Sequence, residues 1–315
     1  MTARALGSRV GQAVLVLALA FTLAFILLQA LPGDAVLIKF ENPELGLSPE
    51  EIAAIRTSYG ADVPWWQAYL HTLAGFLRGD FGFSIQNGAG VAGLLAEVLP
   101  QTVTLSVLAF AAAVVLAVTV ALLATWARWT WLRNALASLP SVFVSVPTFW
   151  LAMVLIQIFS FRLGLVKVIG AGPVEALILP VLTIAVPISA PLAQILVRSI
   201  EDVQRQPFVS VVRARGASRW WVLTRNVARN ALLPTLTIAG VLFGELVAGA
   251  VVTETVFGRA GIGRLTEQAV ANQDVAVLQA IVVLSAAAFV TVNLLIDLLG
   301  PLVDPRLTKE VGLAA

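Results

Sequence analysis

Residues 10–31 read VGQAVLVLALAFTLAFILLQAL, 22 consecutive positions without an ionisable side chain. That run decides the fold class. About 20 apolar residues cross the hydrocarbon core of a bilayer as a helix, whereas the apolar part of a cleaved signal peptide holds about 7–15. With Arg4 and Arg9 in front of it, the run is expected to be a retained first transmembrane helix. The rest of the chain agrees in composition. It is 59% hydrophobic and 12% charged over 315 residues, with a mean hydropathy of +0.93, against about 25% charged in a soluble domain. Lipid solvates such a surface directly and water does not.

Five further runs have spanning length: Thr102–Trp126, Ala135–Phe161, Ala176–Val197, Ala231–Phe257 and Val275–Val303. The expected architecture is therefore all-α and integral to the membrane, with about six transmembrane helices. Pro180, Pro187 and Pro191 interrupt the fourth run. Proline is tolerated in a membrane helix where neighbours or water satisfy the freed carbonyls. The boundaries divide the chain into a first segment 1–31, an external loop 32–101, a core 102–303 containing a basic loop 198–230, and a tail 304–315.

Lysine and arginine are retained on the cytoplasmic side of membrane proteins. With the N-terminus inside, thirteen of the 20 basic residues fall in cytoplasmic segments, seven of them between Arg198 and Arg229, and seven fall outside. Eight acids lie between Asp34 and Glu97. Both termini are expected in the cytoplasm.

The segment 32–101 is long for a connector and carries order signals. Ser48-Pro49-Glu50-Glu51 has the form of a capping box with proline at the first helical position. Ile52 and Ile55 follow, and Gly60 suits a helix C-cap. A second amphipathic stretch begins near Pro64 and places Trp65, Tyr69, Leu73, Phe76 and Leu77 at helical spacing, with Trp66 beside them. Helices lying at the membrane interface, where Trp concentrates, and a docking platform for an external partner both fit these residues. His71, the only histidine, reads as a surface residue.

Several chemistries are excluded. There is no cysteine, so disulfides and thiolate metal sites cannot form. The net charge of +2 gives no ground for a nucleic-acid partner. A phosphate-binding loop needs Gly-Lys followed by Ser or Thr, but Lys39, Lys167 and Lys309 precede Phe40, Val168 and Glu310. No ATP hydrolysis by that route and no resident cofactor or metal are expected. Ion-coupled carriers place ionisable groups at mid-membrane. Glu245 and Asp297 lie inside the predicted spans, and Glu254 sits near a span end. Glu245 reads either as a group on a translocation path or as a helix–helix contact, and Asp297 as an interfacial or helix contact.

The basic loop is the informative segment. Gln206-Pro207-Phe208-Val209-Ser210-Val211-Val212-Arg213-Ala214-Arg215-Gly216-Ala217-Ser218 continues through Trp220, Trp221 and Arg225 to Arg229-Asn230-Ala231-Leu232-Leu233-Pro234. It is expected to form a short helix, a glycine turn and a second amphipathic helix returning to the membrane. Inside-positive charge explains the arginines. It does not explain the aliphatic residues between them, and Phe208, Val209 and Val212 are expected to bury in a groove of a soluble partner.

Arg213-Ala214-Arg215-Gly216-Ala217-Ser218 and Arg229–Pro234 resemble the cytoplasmic loop of ABC importer permeases, in the first-permease form of the dipeptide, oligopeptide and nickel branch. Shorter matches follow in order along nearly the whole chain. They are Leu31-Pro32-Gly33-Asp34, Leu77-Arg78-Gly79-Asp80-Phe81-Gly82, Pro147-Thr148-Phe149-Trp150-Leu151-Ala152, Val252–Phe257 with Gly261-Ile262-Gly263, and Asp304-Pro305-Arg306. The departure is Ser210-Val211-Val212, where the general pattern has Glu-Ala-Ala. The resemblance implies the type I importer permease fold and a coupling helix at 208–218 that sits in a cleft of an ATPase. Gly216 would make its turn, and Arg213 and Arg215 would face the partner. It further implies pairing with a second, homologous permease, two ATPase subunits that bind ATP and magnesium, and an extracytoplasmic substrate-binding protein. Peptide is the expected cargo, with nickel, haem, glutathione or a siderophore-like ligand as alternatives within the branch. A stand-alone carrier or channel is the remote alternative.

Overall fold

A computed structural model describes residues 3–29, 48–52 and 63–303. Within helices it leaves out the side chains of 3–6, of 229, 233, 236, 237, 243–245, 247 and 248, and of 296–303. The expectations at Leu31–Asp34, Ile55, Gly60 and Asp304–Arg306 lie outside the described residues.

The chain is a succession of helices: α1 (Ala3–Gln29), α2 (Trp65–Leu77), α3 (Val91–Trp126), α4 (Thr130–Ser145), α5 (Thr148–Leu155), α6 (Glu175–Gln204), α7 (Pro207–Ala214), α8 (Ala228–Val256), α9 (Ile262–Ala271) and α10 (Val275–Val303). Among the described residues, Gly7–Gln29 of α1, all of α3 and α6, and Val275–Leu295 of α10 are long and apolar enough to cross a membrane. The 29 residues of α8 occupy the stretch expected as the fifth span.

The third span differs from the expected unbroken helix Ala135–Phe161. α4 stops at Ser145, and α5, continued by a π-helical turn Ile156–Arg162, leaves at 103° to it. The cause is local. A proline disfavours helical backbone in the residue before it, and Val146, preceding Pro147, is extended at φ −91°, ψ 119°. The second span also starts earlier than the expected Thr102, at Val91. Glu97 and Pro100 interrupt the apolar run in the sequence, but both face outward, while Val91 and Leu95 are buried one turn apart. The segment 32–101 thus ends in helix.

α6 passes through all three of its prolines without a break. Pro180 has no N–H to give the carbonyl four residues back. That carbonyl belongs to Ala176, and Arg259 Nη1 donates to it at 3.2 Å. A side chain from a distant part of the sequence thus satisfies the group that proline leaves open.

The chain forms two compact units. Of the described residues, the first holds 3–10, 103–259 and 289–303. Its core runs along α3 as Leu105, Ala109, Ala113 and Ala117, four residues apart, against Ile184, Ala185, Ile188, Leu192 and Ala193 of α6 and Leu246 and Ala250 of α8. Lipid tails are as apolar as leucine, so membrane helices associate by close packing over small residues. The alanine stripe provides that approach. The bulky residues of α3, Val103, Val107, Val115 and Leu123, face outward, as lipid-facing positions do.

Of the described residues, the second unit comprises 11–29, 48–52, 63–102 and 260–288. Phe21 and Phe25 of α1 meet Tyr69 of α2 edge-on at 5.6 and 5.3 Å, and Phe76 links Phe21 to Phe81 at 5.2 and 5.0 Å. The Tyr69 hydroxyl shares a 2.9 Å hydrogen bond with Thr22. Trp65, Trp66 and Leu77 of the expected amphipathic face are exposed, as is His71. After α2, Gly82 adopts φ +78° and accepts from the Val91 amide at 2.9 Å, closing a hairpin onto the start of α3. The Ser84 hydroxyl donates to the buried Asp274 carboxylate, which also caps α10 through the Val277 amide at 3.4 Å. Upstream, the capping box forms: the Ser48 amide donates to Glu51 Oε2 at 2.8 Å and the Glu51 amide to Ser48 Oγ at 3.3 Å. The hydrogen bonds from the Ser48 amide and hydroxyl hold the Glu51 carboxyl below its ordinary pKa.

Candidate functional site

The basic segment begins where α6 ends, with Arg205 as its C-cap. Gln206 precedes a proline and is extended at φ −70°, ψ 145°. Pro207 then occupies the first turn of α7, where its missing N–H costs nothing. The far end of this eight-residue helix closes in a Schellman motif. The Ala217 amide donates to the Val212 carbonyl at 3.4 Å and the Gly216 amide to that of Arg213 at 2.9 Å. Gly216 sits at φ +84°, a conformation glycine adopts without the cost other residues bear. Ser218 Oγ then accepts from the Trp221 amide at 3.2 Å and caps the next helix. That helix runs through Arg219–Trp221 and a π-helical stretch Val222–Val227 into α8.

The expectation that Phe208, Val209 and Val212 offer an apolar face to a partner is corrected here. Val209 is 1% exposed. It packs with Leu196, Ile200 and Val203 of α6 and with Val222 and Val227, and Phe208, Val212 and Ala217 flank the same cluster. The ends of the spanning helices supply the groove themselves. Burying a valine contributes about 1.5–3 kcal/mol, so α7 is bolted to α6 and to the start of the returning helix. The outward residues are Pro207, Ser210, Val211 and Ala214, at the i, i+3, i+4, i+7 spacing of one helical stripe. Arg213, Arg215 and Ser218 are exposed around them. Ser210, where the general pattern has Glu, stands on that stripe, and its hydroxyl turns back to the Pro207 carbonyl at 2.6 Å.

Glu245 lies in α8 and Asp297 in α10, and the side chains of both fall outside those described. Glu254, expected near a span end, is fully buried in α8 beside the buried Thr253. The Glu254 carbonyl accepts from the Arg259 amide at 2.8 Å. An acid one turn before a glycine at the end of an apolar run was the available signal. Arg259, one of the seven basic residues expected outside, is the side chain that satisfies the Ala176 carbonyl.

The site therefore defines a helical multi-pass membrane protein that presents a short, rigidly anchored helix with an exposed, arginine-flanked stripe beyond two of its spans. Residues 117–309 match the family described as binding-protein-dependent transport system inner membrane component, and the chain belongs to that family. It is 34% identical over 311 residues to a protein of Brucella abortus named as a peptide transport system permease, with 96% of this chain and 98% of that one covered. It is 31% identical over 285 residues to the glutathione transport system permease protein GsiC of Escherichia coli K12, covering 90% and 92%. Among solved structures, the MetNI methionine ABC transporter in an inward-facing conformation is similar at a TM-score of 0.55 and 18% identity, over 67% of this chain and 96% of that one. An amino acid ABC transporter is similar at 0.52 and 19%, over 66% and 93%. These share the fold of importer permeases. The chain is a permease subunit of an ABC importer, a class that works with an ATPase and a substrate-binding protein, and it is not a stand-alone carrier or channel.

Proposed function

We propose that this permease forms half of the translocation pathway for peptides or a related small solute, paired with a second, homologous permease. Both termini lie in the cytoplasm. Two ATPase subunits bind ATP and magnesium there, while this chain holds neither and hydrolyses nothing alone. An external binding protein delivers the solute. The peptide assignment is supported by the relatives named for peptide and glutathione transport.

The observation that carries the mechanism is the anchoring of α7. A coupling element must transmit force, so one side of it has to be fixed to the spans and the other free for the partner. Val209 fixes one side to α6, and Pro207, Ser210, Val211 and Ala214 leave the other open. Arg215 sets the charge of that side and matches an acidic cleft. Closure of two ATPases on ATP would push α7, and through Leu196, Ile200 and Val203 would move α6, the helix at the centre of the core. The test is Arg215→Glu in the reconstituted complex. Uptake and solute-stimulated ATP hydrolysis should fall together while the two permeases still pair. Wild-type transport with the ATPase fully bound would overturn the assignment.

A further inference from the structure

Beside α7 lies a recess of about 60 Å³ that opens to solvent. Its chemistry is uneven. Arg213 and Arg219 line it together with Trp126, Trp220, Thr125 and Gln204, and no carboxylate is among its lining residues. Neither guanidinium has an ion-paired or side-chain hydrogen-bonded partner among the described residues. The acids near by on α6 are Glu201, which lies 3.9 Å from Arg205, and Asp202, and neither lines the recess. The indoles of Trp126 and Trp220 stand 5.3 Å apart with their planes 34° from parallel, forming one wall.

Two positive forks and an amide around an open space make a site for a phosphate oxyanion, while the Thr125 hydroxyl donates to the Ala121 carbonyl at 2.9 Å. Its depth identifies the source of that anion. Trp126 is the last residue of the membrane-crossing helix α3, so the recess lies where hydrocarbon gives way to headgroups. Trp129, Trp131 and Trp221 are also exposed, and tryptophan concentrates at that level. Basic pockets at the cytoplasmic ends of membrane helices bind anionic headgroups. We propose that the recess holds the phosphate headgroup of an anionic phospholipid of the cytoplasmic leaflet. Arg213 belongs to α7 and Trp126 to α3. A bound headgroup ties the coupling helix to the end of a span and makes coupling sensitive to lipid charge. The inference takes its orientation and the role of α7 from the proposed function.

The test uses the full complex with its ATPase in nanodiscs of phosphatidylcholine alone or with phosphatidylglycerol. Native mass spectrometry counts the phosphatidylglycerol retained. Wild type should retain it, and its solute-stimulated ATP hydrolysis should be higher in its presence. Arg219→Gln should bind it about five-fold more weakly, matching about 1 kcal/mol for a cation at a membrane surface, and should lose the stimulation. Arg225→Gln, an exposed arginine of the same segment that does not line the recess, should behave as wild type. Equal retention by Arg219→Gln overturns the proposal. So does rescue of hydrolysis in phosphatidylcholine by glycerol phosphate or inorganic phosphate, which would make the ligand a free anion. Loss of the ATPase from Arg219→Gln with lipid retained would mean that an acidic side chain of the partner fills the recess. The lipid count is independent of ATPase docking, so it stays decisive even if α7 proves not to couple.

Discussion

Gly216 offers a graded test of whether the backbone of the turn after α7, rather than its side chains, sets transport. Its φ of +84° is closed to most residues by the clash of Cβ with the backbone. Visiting the left-handed region costs an L-residue about 1–2 kcal/mol, least for Asn and more for β-branched side chains. Beyond its chain neighbours, a Cβ built on Gly216 meets nothing within 4 Å, so packing adds nothing and the cost is conformational alone. An equilibrium between the native turn and a rearranged one would shift by about 5–30-fold. The order of activity should therefore be Gly, then Asn, then Ala, with Val last, although Asn is bulkier than Ala. The assay is reconstitution of the complete importer, with solute uptake and solute-stimulated ATP hydrolysis measured beside subunit stoichiometry. Both rates should follow that order, while insertion and pairing of the permeases stay constant because the alanine-lined core is untouched. An order set by size, with Asn below Ala, would refute the backbone argument. A Val variant transporting at the wild-type rate with the ATPase bound would refute the coupling role as well.

Two further outcomes are expected. Arg259→Ala should destabilise the complex by about 1–3 kcal/mol, the cost of leaving the Ala176 carbonyl unsatisfied, read as a lower thermal midpoint. In a Pro180→Ala background, where a helical N–H can return to that carbonyl, the same change should cost measurably less, and equal losses in both backgrounds would show that the 3.2 Å bond does not serve the proline. Topology can be read without background because the chain has no cysteine: cysteine at the exposed positions Ser48 or Gln86 should react with an impermeant reagent from outside, and at Ala214 only after the membrane is opened, the reverse pattern overturning the charge-based orientation.

The spans were legible because lipid solvation asks only for apolar length, which a sequence states openly. Their limits were not, since they depend on which face a polar residue takes. Glu97 and Pro100 look like the end of a loop until α3 is seen to turn them outward. Val146 illustrates the opposite case: the rule that breaks the third span is local and was available in Val146-Pro147, but a long apolar run concealed it. In the basic segment, Gly216 and Ser218 announced the turn and the cap, because left-handed backbone and helix capping are chemistry within a few residues of themselves. Val209 could not be read that way. Interleaved valines and arginines imply that an apolar face is buried, but not against what, and the answer lies in Leu196, Ile200 and Val227, residues that only the folded chain brings to it. The difference changes the mechanism. Had Val209 been held by a partner, α7 would gain its position only on docking, and ATP-driven motion would be spent in ordering it. In the proposed coupling, α7 is anchored to α6 beforehand and would pass a push directly to the helix that carries Ile184, Ile188 and Leu192 into the core.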